Sequence, residues 1–158
     1  MALLNWLESN AYAQWILTSA WGWPIMLSLH AFGLAIILGV MFAMNLRVLG
    51  WYRTLPLTSL HTLMGIAWIG IWINIFSGVS VFLTRPAEYL GSIPFLLKIS
   101  CIAAGIVILV YTRKMLTQEA HTWGTDAPPL ARQLAMGSLV FWVLAVVAGR
   151  LIAYVDVG

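Results

Sequence analysis

Four long apolar runs constrain this chain more than anything else in it. They cover roughly residues 24–46, 57–83, 94–116 and 130–154, with stops at Arg47, Arg85-Pro86, Arg113-Lys114 and Tyr154. A helix needs about 20 apolar residues to cross the hydrocarbon core of a bilayer, so each run is long enough to span. In hydrocarbon every backbone polar group must be satisfied inside the segment, which makes each run a helix. The expected fold is therefore all-α: an integral membrane four-helix bundle, with residues 1–158 as a single membrane domain. Composition excludes the alternatives. Hydrophobic residues make up 62% of the chain and charged residues 8%, against about 25% charged in a soluble domain. Eight Lys+Arg and five Asp+Glu do not cover a water-facing surface, so an ordinary soluble enzyme, a disordered chain and a coiled coil are excluded.

The net charge of +3 does not indicate nucleic acid, because the basic residues sit singly at run ends instead of forming a patch. The expected surroundings are lipid and other membrane or periplasmic subunits. A single cysteine, Cys101, leaves no internal disulfide and no cysteine-based zinc site. Residues 1–20 lack the basic n-region of a secretory signal and carry Glu8, Ser9, Asn10 and Gln14. They read as one amphipathic helix lying in the membrane interface, with Leu3, Leu4, Trp6, Trp15 and Ile16 on its apolar side. Trp21, Trp23 and Pro24 then mark an aromatic belt and a helix start.

The basic residues at the run ends set the expected orientation. Arg47, Arg53, Arg113, Lys114 and Arg132 fall on one side; Arg85, with Lys98 and Arg150 recessed into helix ends, falls on the other. The positive-inside rule makes the first side cytoplasmic. Both termini are then outside a bacterial inner membrane, and residues 87–93 form an outer loop.

Ionisable and polar groups at depth are functional candidates by default. No Asp or Glu lies within a run, which argues against a carboxylate proton relay. At 1.5 Å per residue, His30 sits about 7 Å outward of the midplane, Asn74 about 6 Å, Ser77 and Lys98 about 10 Å and Arg150 about 12 Å. These five come from all four helices and share the outer leaflet. A histidine with two cations suits haem propionates or a quinone head; alternatively, Lys98 and Arg150 snorkel to headgroups and His30 bonds a neighbouring helix. His61 lies about 13 Å inward, so His30 and His61 are about 20 Å apart and cannot share one metal. His61 keeps company with Met41, Met44, Met64, Met115 and Met136, a soft donor set suited to Cu(I), or plain apolar filler. Of the three mid-span tryptophans, Trp68 and Trp72 share a helix face with His61 and Gly65, and Trp142 stands in the fourth run. There they line a flat cofactor or pack the core. No nucleophile–base pair, phosphate loop or zinc motif is present, so hydrolytic chemistry is unsupported.

Leu29-His30-Ala31-Phe32-Gly33-Leu34, Asn45-Leu46-Arg47-Val48-Leu49-Gly50, Phe95-Leu96-Leu97-Lys98 and Gly149-Arg150-Leu151-Ile152-Ala153-Tyr154 together carry a resemblance. From about residue 20 onward the chain resembles a family of small bacterial four-helix membrane proteins of unknown function. More distantly, it resembles the membrane part of copper-resistance D-type proteins, which begin with a similar Leu-His-x-x-Gly helix. The resemblance implies that His30, Arg47, Lys98 and Arg150 occupy the family's characteristic positions. The chain departs from it at Asn45, where the family often carries Asp, and at Tyr111-Thr112, where it tends to carry His.

Three functions follow as expectations. The first is a membrane subunit of a redox system with b-type haem or quinone in the outer leaflet, held by His30, Lys98, Arg150, Asn74 and Ser77. The second is a cofactor-free structural or assembly subunit of a membrane complex. The third is a copper-handling membrane protein using His61, with His30 as a first ligand on the metal's route.

Overall fold

A computed structural model of the chain describes residues 2–124 and 126–155, with the side chains of Ala2, His61 and Val155 outside that description. Seven helices run in the order α1 (Ala2–Glu8), α2 (Ala11–Thr18), α3 (Gly22–Val48), α4 (Leu60–Phe82), α5 (Pro86–Gly91), α6 (Ile93–Gln118) and α7 (Pro129–Val155). Single 3-10 turns at Leu57–Ser59 and Ala120–Thr122 complete the described elements. The four long helices occupy the four apolar runs. They are long and apolar enough to cross a membrane, and the shortest of them, 23 residues, extends about 35 Å. Their outward faces are apolar: Ile69, Trp72, Phe76 and Val107 are each more than half exposed. Apolar surface on that scale requires a non-aqueous neighbour.

The packing is two antiparallel pairs. Helices α3 and α4 meet along their length, as do α6 and α7, and α3 leans back on α7. The closest approach of α3 and α4 is at Gly33 and Gly70. A Cβ on Gly33 would lie 2.9 Å from the Asn74 backbone N and 3.0 Å from the Gly70 O, so only glycine fits. In the other pair, Gly105 of α6 receives the indole of Trp142, whose ring would be 3.1 Å from an added Cβ. Helices α3 and α7 are tied by a buried hydrogen bond, Asn45 Nδ2 to Ser138 Oγ, 3.0 Å. Asn45, singled out only as a departure from a family pattern, thus holds the two pairs together. Helices α4 and α6 scarcely touch.

Two expectations about local structure are corrected. The amphipathic stretch forms two short helices within residues 2–18 and not one; Met1 lies outside the described residues. Asn10 ends the first and caps the second, its Oδ1 accepting from the Tyr12 N–H at 2.9 Å, which is the preferred use of Asn before a helix. Helix α2 packs against the bundle. Ala13 and Ile16 are fully buried, and the Tyr12 hydroxyl meets Ser80 Oγ of α4 at 2.9 Å. The outer loop 87–93 is in turn largely α5, started by Pro86 in its first turn with Glu88 behind it.

The end of the bundle carrying α1, α2 and α5 is called the upper end below. At the lower end, Arg47 is buried and its Nε donates to the Leu55 carbonyl. It therefore fastens the 49–56 segment. Asp126 joins two segments by accepting from both Arg53 and Arg132 at 3.1 Å. The two 3-10 turns meet there and close that end.

The glycine crossing yields a contrast within one helix. Gly33→Ala forces backbone against backbone and should destabilise the bundle by about 1–3 kcal/mol. Gly39→Ala, with nothing within 4 Å of its Cβ, should be neutral or stabilising by up to about 1 kcal/mol. Unfolding titrations in mixed detergent micelles measure both; equal behaviour would contradict the crossing.

Candidate functional site

The gap left between the two helix pairs is a cavity of about 690 Å³ in the upper half of the bundle. All four long helices and α5 line it. Its walls are apolar, with Leu34, Ile71, Ile102 and Ile106 among them, and Ile37, Ile71 and Trp142 bury its floor. At the top, Phe82 of α4 and Phe95 of α6 stack and Tyr89 of α5 is tilted against both, with centroids 5.4–6.3 Å apart.

Four polar side chains interrupt this apolar lining: His30, Asn74, Lys98 and Arg150. Lys98 of α6 reaches across the cavity to α3, placing Nζ 3.2 Å from His30 Nε2. On the far side of the ring, His30 Nδ1 is 3.1 Å from Ser77 Oγ of α4. Ser77 is fully buried and its hydroxyl donates back to the Ile73 carbonyl at 2.8 Å, the usual back-bond of a mid-helix serine. With its one proton committed there, Ser77 Oγ accepts from His30 Nδ1–H. The ring nitrogen left without a proton, Nε2, then accepts from the Lys98 ammonium, which has only donors. The chain of bonds runs one way: Lys98 to His30, His30 to Ser77, Ser77 to the α4 backbone. Asn74 adds a second tie, donating Nδ2–H to the His30 carbonyl at 2.9 Å.

Glycines make room for this pair. A Cβ on Gly78 would sit 3.4 Å from His30 Cε1, and one on Gly149 would sit 3.3 Å from Lys98 Cδ. The aliphatic stem of Lys98 thus crosses the bare backbone of α7. Gly149 stood in a motif with Arg150 but was not singled out from the sequence. Its signal was its place beside a cation at the depth of Lys98.

Of the sequence-derived set, His30, Lys98, Asn74 and Ser77 meet in one network. Arg150 lines the same cavity but is exposed, and it turns to Tyr154 one turn on. Its Nη2 is 3.3 Å from the Tyr154 hydroxyl and its guanidinium lies 5.5 Å from that ring's centroid. It stands at the rim, closer to the snorkelling arrangement. His61 begins α4 at the lower end, 13 residues from Asn74 and hence about 20 Å along the helix; its side chain is outside the described residues. Of the methionines proposed to accompany it, Met41, Met44, Met64 and Met115 sit in the hydrophobic core, while Met136 is half exposed. Among the described residues no three His, Cys, Asp or Glu side chains come together as a metal site.

The donors bear differently on the candidate cofactors. For an axial bond to haem iron, His30 would have to break either its Lys98 or its Ser77 hydrogen bond, since both ring nitrogens are engaged. Breaking the Lys98 bond alone would leave Nδ1–H on Ser77, the kind of tie a ligating histidine makes with its other nitrogen. A carbonyl-bearing ring would leave both bonds in place: Lys98 has spare donors, no carboxylate bonds it among the described residues, and the walls are apolar. No family model, curated protein or solved structure matches the chain.

The directional chain makes a spectroscopic prediction. Nitrogen chemical shifts of selectively labelled His30 should show Nδ1 protonated and Nε2 bare. Ser77→Ala should remove that preference and cost about 1–3 kcal/mol by leaving a buried donor unpaired. A wild-type ring protonated on Nε2 alone would contradict the assignment.

Proposed function

We propose that this chain is a small integral membrane subunit of a redox system and that its cavity receives a quinone-class ring. The observation that carries the reading is Lys98: a cation recessed in an apolar cavity, held at 3.2 Å by a neutral imidazole nitrogen and bonded to no acid among the described residues. A charge costs about 2.5–3.5 kcal/mol at the centre of a spanning helix, and part of that cost remains for an ammonium drawn into an apolar cavity. An acceptor arriving with a ligand would offset part of that. A bound quinone supplies electron transfer coupled to proton uptake. The chain's own part is to donate a hydrogen bond from Lys98 Nζ to a ring carbonyl and to exclude water with Ile102, Ile106 and the aromatic cap. His30 and Ser77 fix where Nζ points. Arg150 at the rim is available to a second polar group.

The proposed setting is a bacterial inner membrane, with the upper end and both termini outside and the cavity in the outer leaflet. The five-to-three distribution of basic residues supports it. A topology reporter fused after Gly158 should be active only in its extracytoplasmic form; activity in the cytoplasm would reverse the orientation and leave the site intact.

A cofactor-free assembly subunit is the second reading. The poor contact between α4 and α6 supports it, since a partner's helix would fill that gap. A copper-handling role has weaker support, resting on core methionines and on His61.

The test is a titration with a decyl-tailed benzoquinone, followed by quenching of tryptophan fluorescence. The expected result is saturable binding at one site. Lys98→Met should weaken it about ten- to a hundred-fold, the worth of one hydrogen bond to a charged donor. Unsaturable quenching, or equal affinity in Lys98→Met, would overturn the quinone reading and leave the assembly subunit in its place.

A further inference from the structure

We infer that the ligand of this cavity is a long-chain amphiphile that comes from the membrane and not from water, sliding sideways between α4 and α6 and leaving its tail in that gap. The inference rests on the reading of the cavity as a quinone-class site and adds the route and the tail.

The route follows from which sides of the cavity are closed. Helix α3 packs along α4, α6 along α7, and α7 against α3, so three of the four sides of the ring are sealed by helix contacts. The lower side is filled by the core beneath Trp142, including Met41, Met44, Met64 and Leu109. The upper side is roofed by α5, and the packed rings of Phe82, Tyr89 and Phe95 join α4, α5 and α6 there. Among the described residues, only the fourth side, between α4 and α6, lacks extensive helix contact.

The residues on that side fit a lipid tail. Ile75 and Val79 of α4 and Ile99 of α6 line the cavity and are 44%, 51% and 47% exposed. They are aliphatic and flank a cavity whose polar groups, Lys98 and His30, reach in from α6 and α3. A ring that passes between them meets Lys98 on the inside, while a chain attached to it remains among isoleucine and valine. A small water-soluble ligand would gain nothing from this wall and would have to pass the aromatic roof. The proposed ligand class is therefore a carbonyl-headed ring carrying an alkyl or isoprenoid tail.

The test uses two photoreactive probes on the full chain in phosphatidylcholine vesicles: a decyl-tailed benzoquinone with a diazirine on the ring, and the same molecule with the diazirine at the tail's end. The ring probe should label the α3 and α6 segments around His30 and Lys98. The tail probe should label Ile75, Val79 or Ile99 in the gap. Unlabelled quinone should compete with both. Ring labelling with tail labelling at α5 or the 49–56 segment would overturn the lateral route while leaving the site. Absence of competable ring labelling would overturn the site itself. The double variant Ile75→Trp, Ile99→Trp narrows the gap without touching Lys98 or His30. It should slow association about ten-fold, and an unchanged association rate with ring labelling intact would overturn the route.

Discussion

The contact between Lys98 Nζ and His30 Nε2, 3.2 Å long, is the interaction on which the upper half of this bundle depends. It joins helices from the two pairs across a space they otherwise leave open. It also brings a charge in from the edge and gives it a fixed direction. The contact works only because Ser77 anchors the other side of the ring at 3.1 Å. Without that acceptor the imidazole would be free to turn over, and Nε2 would no longer be held bare toward the lysine. A pair made of a cation and a neutral ring keeps its positive charge, whereas a cation paired with a carboxylate would be neutralised.

The lower half is built differently. There the two pairs are joined by Asn45 and Ser138, by apolar packing around Met41, Met44 and Met64, and by the Arg47 anchor under the 49–56 segment. Small residues set the spacing: glycine at 33 and 70 brings α3 onto α4, and glycine at 105 admits Trp142. In the absence of water, tight helix contact through small residues is the main source of association. With the lower half closed and the upper half splayed, the cavity falls where Lys98 and His30 are.

Much of this was legible from residue types alone. Run lengths and stops placed the ends of the four long helices within about three residues, because twenty-odd apolar residues have few other structures open to them. Rise per residue put His30, Asn74, Ser77 and Lys98 at similar heights, since straight antiparallel helices keep linear registers. Which way each side chain turns was not legible. Arg150 has the height of the others but faces the rim, because Tyr154 stands one turn away on its own helix. Periodicity does not decide between two polar partners. The break at Ser9-Asn10 and the short helix at 86–91 were readable in principle from Asn10 as a cap and Pro86 as a first-turn residue. Apolar patterning over the whole stretch masked the first of these, and brevity the second. The roles of Gly78 and Gly149 depend on what lies opposite them, which no single strand of sequence contains.

On the proposed function, the cavity beside Lys98 holds a membrane-derived carbonyl-headed ring. The most direct measurement is solvent extraction and mass spectrometry of the full chain purified gently from its native membrane. The expected result is close to one quinone-class molecule per chain in the wild type and its loss in Lys98→Met. A wild-type protein that is folded and carries no such molecule, and does not take one up when it is supplied, would contradict the account.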